Sequence, residues 1–127
     1  MLQAADHLAR GVALFNRGEF FEAHEEMEEA MNLLEGADEA GFDFYLGLLR
    51  AAVANHKLSQ REIPGAILHL RAALKFLEPY PDRYLGVKLR EFRSALTSEL
   101  GKLIELRDGS ELPRPPRIET VSVAAPS

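Results

Sequence analysis

Residues 42–58, FDFYLGLLRAAVANHKL, decide the fold class of this 127-residue chain. At about 100° per residue, a helix over this stretch is apolar on two opposite faces. One face carries Phe42, Tyr45, Leu49, Ala52, Val53 and His56, and the other carries Gly47, Ala51 and Ala54. A helix that is apolar all round is buried. We therefore predict a central helix, the most buried of the protein, whose small-residue face lets a neighbouring helix come close.

Helical periodicity continues on both sides of this stretch, up to about residue 106. The predicted helices cover residues 3–16, 19–34, 38–58, a fourth from Pro64 to the break at residues 79–81, and 87–106. Short connections between helices favour antiparallel neighbours. The sequence therefore predicts an all-α fold, a bundle of about five antiparallel helices stacked as helical hairpins with the third helix central.

The last twenty-one residues differ in composition from the rest. Residues 107–127, RDGSELPRPPRIETVSVAAPS, are rich in Pro and Ser and have no helical stripe. We predict one helical domain over residues 1–106 and an extended or disordered tail over residues 107–127, with residues 112–118 lying across the bundle as the ordered alternative.

Composition excludes several classes of protein. The chain has no cysteine, which excludes disulfides, thiol nucleophiles and thiolate metal sites. No apolar run approaches the roughly 20 residues that cross a bilayer, and the N-terminus does not resemble a signal peptide. We therefore expect a cytoplasmic protein that does not associate with membranes.

The net charge of −5 is unevenly distributed along the chain. Nine of the twenty acidic residues lie in residues 19–39, which contain no Lys or Arg. Arg83, Lys88, Arg90 and Arg93 form a small basic cluster, but no nucleic-acid-binding motif accompanies it. We expect no nucleic-acid partner.

The acidic second helix contains one histidine, in the stretch FNRGEFFEAHEEME at residues 15–28. On a helical wheel centred on His24, Glu28 lies within about 60° together with Phe20, Met27 and Met31. The opposite side carries Glu19, Glu22, Glu26 and Glu29, which we expect in solvent. We predict that His24 and Glu28 face the core and form a buried polar cluster with His56. Arg50 is a further candidate partner, and Glu25 lies at the flank.

The histidine motif does not match a known metal motif. The stretch H-E-x-x-E lacks the second histidine of the zinc-protease motif H-E-x-x-H. We expect no cofactor and no bound metal, and a non-enzymatic module that binds a protein partner or forms a homo-oligomer. The alternative is a metal-binding protein or hydrolase-type enzyme that uses His24, Glu25, Glu28 and His56, a ligand set that suits zinc, iron or manganese. The sequence leaves open whether the protein is an enzyme.

Three blocks resemble one family of small helical proteins from bacteria and archaea, domain of unknown function 309. The blocks are FNRGEFFEAHEEMEE, FYLGLLRAAVANHKL and PGAILHLRAALKFLEPYP, which together cover roughly residues 10–82. The resemblance implies an antiparallel all-α bundle and no established activity, and its polar signature falls on His24, Glu25, Glu28 and His56. The chain departs from the family pattern at Met31, where Trp is common, and at Arg50, where Gln is common. The charge of Arg50 would suit a salt bridge to Glu25 or Glu28.

Overall fold

The computed structural model describes residues 2–107 and 109–121. In chain order the elements are α1 (Ala4–Asn16), α2 (Phe20–Leu34), α3 (Glu39–Ser59), α4 (Ile63–Leu77), β1 (Arg83–Tyr84), β2 (Val87–Lys88) and α5 (Leu89–Ile104). The all-α fold with five helices is therefore confirmed. Within these two ranges, no helix is both long and apolar enough to cross a membrane.

Helices α1 to α4 pack successively, each against the next along the chain, so that α3 lies between α2 and α4. Because it has a neighbour on both sides, α3 buries residues along its whole length, from Gly41 to Leu58. Its small-residue face allows the close approach that the sequence predicts. A Cβ atom added at Gly47 would lie 2.6 Å from Cδ2 of Leu77, which is fully buried on α4.

Helix α5 packs against α4 and also contacts α1. The rings of Phe92 on α5 and Phe15 on α1 meet edge to face, with centroids 5.7 Å apart. Arg93 donates hydrogen bonds from Nη1 to the carbonyls of Leu77 and Tyr80, at 3.0 and 2.8 Å. Leu77 is the last residue of α4 and Tyr80 lies three residues beyond it, so one arginine of the basic cluster satisfies backbone acceptors at this helix end.

A two-stranded antiparallel hairpin precedes α5, and the sequence did not predict it. Arg83 pairs with Lys88 and Tyr84 with Val87, which leaves Leu85 and Gly86 as the turn. Both turn residues have positive φ, 48° and 82°, as in a type I′ turn. The prediction of a helix from residue 87 is wrong by two residues, because the usual Asn-Gly signal of such a turn is here Leu-Gly.

The described part of the tail packs across the bundle. This agrees with the alternative prediction, in which residues 112–118 are ordered and lie across the helices. The Asn16 side chain forms two hydrogen bonds with the backbone of Ile118. Asn16 Nδ2 donates to the Ile118 carbonyl at 2.9 Å, and the Ile118 amide donates to Asn16 Oδ1 at 2.8 Å. Ile118 is 1% exposed. Thr120 forms an antiparallel bridge with Val87, so the tail runs beside the hairpin. The division into a domain and a separate tail stays a prediction.

Candidate functional site

The buried stripe of α2 is not centred on His24. It consists of Phe20, Ala23, Met27 and Ala30. Its centre lies about 80° from His24 on the helical wheel, because Ala23 and Ala30 are fully buried and lie on the side of the stripe away from His24. Glu28 is therefore turned out of the core, and its side chain is 57% exposed. The prediction of an inward Glu28 in a buried cluster is wrong.

The prediction that Glu26 faces solvent is also wrong. Its side chain is only 22% exposed and lies at the seam between α1 and α2. There His7 Nδ1 lies 2.6 Å from Glu26 Oε2. Because the stripe is rotated towards α1, Glu26 lies at its edge. Glu19, Glu22 and Glu29 are exposed as predicted.

His24 lies half-buried at the other edge of the stripe, towards α3. Its Nδ1 is 3.1 Å from the carbonyl oxygen of Phe21, and its Nε2 is 3.5 Å from Glu28 Oε2. Both ring nitrogens therefore face oxygen atoms of the same helix. The predicted pairing of His24 with Glu28 is present, but it lies at the surface.

Phe21 connects the two histidines that the sequence singled out. Its ring centroid is 5.4 Å from that of His24 and 5.5 Å from that of His56 on α3. Phe21 is nevertheless 48% exposed. We call the surface formed by Phe21, His24, Glu25 and Glu28 of α2 with His56 of α3 the Phe21 stripe. On α2 these residues follow the spacing i, i+3, i+4, i+7, which places them on one side of the helix.

Arg50 does not belong to the Phe21 stripe. It lies in the seam between α3 and α4, where its Nη1 is 3.0 Å from His69 Nδ1. Among the described residues it forms no ion pair with Glu25 or Glu28, so the expected salt bridge is absent from this part of the chain. Burial lowers the pKa of His69, and the charges of Arg50 and Lys57 lower it further.

A metal ion needs several converging ligands, usually three or four from the protein. In residues 2–107 and 109–121, no group of three or more His, Asp or Glu side chains is placed to hold one. His24 and Glu28 are close enough to share a cation, but a third ligand does not join them in the described structure.

The buried polar pair of this protein is Asn55 with Glu99, which sequence reasoning missed. Asn55 on α3 is 2% exposed and Glu99 on α5 is 3% exposed. Asn55 Nδ2 donates to Glu99 Oε1 at 3.3 Å and to the Ala51 carbonyl at 3.1 Å. Within the described residues, the other two oxygens of the pair, Asn55 Oδ1 and Glu99 Oε2, have no hydrogen-bond partner.

Burial raises the pKa of Glu99 to about 7 from an ordinary value of 4.5, although the hydrogen bond from Asn55 acts in the opposite direction. The signal for this residue is present in the sequence. Glu99 stands at helical spacing between Phe92, Leu96 and Leu103, on the stripe that α5 buries. A carboxylate on such a stripe requires a buried partner.

The family comparison covers the first half of the fold. The family model described as Domain of unknown function (DUF309) matches residues 8–68. Residues 8–68 are therefore similar to this family. The resemblance stated from the sequence is thus confirmed, although most of its third block, residues 64–81, lies beyond the matched segment. The DUF309 segment contains the whole Phe21 stripe and Asn55, while Glu99, the hairpin and the tail lie outside it.

A second comparison finds a longer relative. An uncharacterized protein of Aquifex aeolicus (strain VF5) is 32% identical to this chain over 97 residues, which is 76% of this chain. The alignment covers 28% of that relative's length, so this chain corresponds to a minor part of it.

Proposed function

We propose that this protein is a non-enzymatic binding module that uses the Phe21 stripe to hold a protein segment with an apolar side chain beside Lys or Arg. The observation that carries the proposal is the placement of Phe21, which is 48% exposed and in contact with two histidine rings from two helices. Aromatic side chains in such positions dominate the energetics of many protein interfaces.

The contacts of Phe21 reduce what binding would cost. A free exposed phenylalanine samples several rotamers, and a partner must immobilise it on binding. The rings of His24 and His56 both contact the Phe21 ring, which restricts its motion before any partner binds. The buried stripe on the opposite side of α2 fixes the backbone beneath it. Phe21 is therefore suited to act as a preformed anchor.

The acidic residues beside Phe21 indicate which residues a partner should carry. Glu25 and Glu28 are exposed on the same side of α2 as Phe21, in a window of nine acidic residues without Lys or Arg. Complementary charge steers association and sets specificity. A partner segment with Lys or Arg beside its apolar residue fits this surface, and its binding should weaken with added salt.

A second copy of the chain is the other occupant to test. The residues outside the acidic window 19–39 carry 11 acidic residues against 15 basic ones, so another molecule offers basic surface. Sedimentation velocity of the purified protein distinguishes self-association from binding to a different protein. We further propose a cytoplasmic location, which cell fractionation can test.

The second candidate function is that of a metal-binding protein or hydrolase-type enzyme at His24, Glu25, Glu28 and His56. The observation in its favour is the distance of 3.5 Å between His24 Nε2 and Glu28 Oε2, two atoms that can share one cation. Thermal unfolding with added zinc, manganese or iron(II) separates the candidates. A metal-dependent rise in the unfolding temperature that Glu28→Gln abolishes would favour the metal site over the binding module.

A random peptide library displayed on phage tests the proposed function and does not require an identified partner. Selection on the immobilised native protein should enrich peptides that combine an aromatic or aliphatic residue with Lys or Arg. The selected peptides should fail to bind a Phe21→Ser variant. Enrichment of acidic peptides, or of peptides that bind the variant equally well, would contradict the proposal.

A further inference from the structure

One side of α3 carries an apolar stripe that the described part of the bundle leaves half-buried. Its four members lie within about 60° of one another on a helical wheel. They follow the spacing i, i+4, i+7, i+11, which two helices use when they pack along a shared seam. We call this surface the α3 stripe: Phe42, Leu46, Leu49 and Val53. Each of the four is half-buried, and none belongs to the fully buried part of the core.

The α3 stripe faces away from α5. Asn55, which donates a hydrogen bond to Glu99 on α5, lies about 150° from the centre of the stripe on the wheel of α3. Helices α2 and α4 pack on the two flanks of α3. Among the described elements, α2, α4 and α5 therefore cover the flanks and the far side of α3 and leave the stripe at the surface.

The border of the α3 stripe on the α2 side is acidic. His56 lies at this border, because it is next to the stripe on the wheel of α3 and its ring contacts Phe21 on α2. Glu25 and Glu28 are exposed on the same side of α2 as Phe21. No Lys or Arg offsets them, since residues 19–39 contain neither.

The border on the α4 side is mainly basic. It carries Arg50 and Lys57, and Asp43 at its N-terminal end is the exception. Arg50 Nη1 lies 3.0 Å from His69 Nδ1 on α4. Lys57 Nζ lies 3.7 Å from Glu62 Oε2, whereas among the described residues no carboxylate forms an ion pair with Arg50. A carboxylate from another molecule would therefore be complementary to Arg50.

The acidic and basic borders lie at the same level along α3. Leu34 at the end of α2 is close to Gly41, and Phe21 near its beginning is close to His56, so α2 and α3 are antiparallel. Glu28 is seven residues beyond Phe21, which places it at the level of Leu49, seven residues before His56. Arg50 is the next residue of α3.

We propose that the α3 stripe docks against the same stripe of a second copy of this chain, with α2 of each copy opposite α4 of the other. Two-fold symmetry is the commonest arrangement of identical subunits. An axis parallel to α3 preserves the level along the helix and exchanges the two borders, so Glu28 of one copy lies opposite Arg50 of the other. An axis across α3 in the plane of the contact would instead bring the two acidic borders together, which is unfavourable.

The apolar side chains supply the driving force for this contact, because docking removes them from water. The proposal does not depend on the function proposed for the Phe21 stripe. The two surfaces adjoin at the acidic border but have no residue in common. A change within the α3 stripe therefore tests self-association without removing a residue of the Phe21 stripe.

Sedimentation equilibrium of the full chain, at concentrations up to about 1 mM, tests the proposal. The native protein should dimerise. Leu46→Glu places a charge in the centre of the contact and should weaken the dimer at least about 30-fold. Ile104→Glu is the matched control, because Ile104 is 55% exposed on α5 and should not take part. A native protein that stays monomeric, or a dimer that Leu46→Glu leaves intact, would overturn the proposal.

A pair of surface variants keeps the test valid if Leu46→Glu does not fold. Glu28→Arg and Arg50→Glu each place like charges opposite each other in the dimer, so each alone should weaken self-association. An equimolar mixture of the two should recover it, because the reversed charge of one copy then meets the reversed charge of the other. A mixture that associates no better than the separate variants would overturn the proposed arrangement of the two copies.

Discussion

Asn55 and Glu99 join α3 to α5 inside the core, through a hydrogen bond of 3.3 Å from Asn55 Nδ2 to Glu99 Oε1. Both side chains are almost completely excluded from solvent. In such surroundings the neutral form of a carboxyl group is favoured over the charged form. The pair therefore makes the stability of the bundle depend on pH.

Glu99→Gln should remove this pH dependence. The pKa of Glu99 is about 7 in the folded protein, above its ordinary value of 4.5, so the folded state binds more protons than the unfolded state between these values. The free energy of unfolding of the native protein should fall as pH rises through this window, by up to about 3 kcal/mol. Gln does not lose a proton in this range, so the variant keeps its stability as pH rises. Above pH 7 the variant should therefore be more stable than the native protein, in which Glu99 is charged and buried.

Urea unfolding of both proteins at several pH values measures this difference. The comparison is internal, because every other titrating group is shared by the two proteins. A free-energy difference between them that stays constant from pH 4.5 to 8 would contradict a raised pKa for Glu99.

Asn16→Ala should release the tail. The substitution removes both hydrogen bonds to the Ile118 backbone, each worth about 1 kcal/mol. Hydrogen exchange at the Ile118 amide should accelerate, and a protease that cleaves after arginine should cut sooner at the Arg117–Ile118 bond. Asn32→Ala on the exposed side of α2 is the matched control and should leave both rates unchanged. Equal rates in the two variants would contradict docking through Asn16.

Gly47→Ala and Gly101→Ala should change stability in opposite directions. A Cβ at Gly47 would lie 2.6 Å from Cδ2 of buried Leu77, so the α3–α4 contact must open, at about 1–3 kcal/mol. A Cβ at Gly101 meets no atom within 4 Å, and α5 should gain about 0.5–1 kcal/mol from the better helix former. Thermal unfolding of both variants measures the difference, and a stabilising Gly47→Ala would contradict the packing described for α3.

Arg50→Gln should raise the pKa of His69 towards its ordinary value. The Arg50 guanidinium lies against His69 Nδ1 and disfavours a second positive charge on the ring. Burial lowers the pKa of His69 more strongly than Arg50 does, so the rise should be partial. NMR titration of the imidazole protons measures it. Arg71→Gln, an exposed change on the same helix as His69, is the control and should have little effect.

The all-α fold could be predicted because the helices are long and their apolar residues recur at helical spacing. The sequence of α3 is apolar on two faces, which predicts a central position, and α3 does lie between α2 and α4. Its small-residue face is buried, including Gly47, Ala51 and Ala54, whereas only Tyr45 and Ala52 of the opposite predicted face are buried. Short connections then leave few arrangements for its neighbours. The close approach at Gly47 follows from the same pattern, because small residues line that face.

The errors concern features that periodicity alone does not fix. The direction of Glu28 depended on where the buried stripe of α2 is centred, and Ala23 and Ala30 shift that centre away from His24. The hairpin before α5 has a Leu-Gly turn that carries little signal. The partner of Glu99 lies 44 residues away on α3, a pairing that only the assembled bundle specifies.

The most direct test of the binding proposal compares Phe21→Ser with Leu33→Ser. Both residues are on α2 and similarly exposed, at 48% and 45%, but Leu33 lies outside the Phe21 stripe. Affinity for a peptide selected on the native protein is measured by calorimetry at low and high salt. Phe21→Ser should weaken binding at least about 30-fold, the loss of one dominant contact, whereas Leu33→Ser should change it little. Unchanged affinity in Phe21→Ser, or equal losses in both variants, would contradict the assignment of the Phe21 stripe as the binding surface.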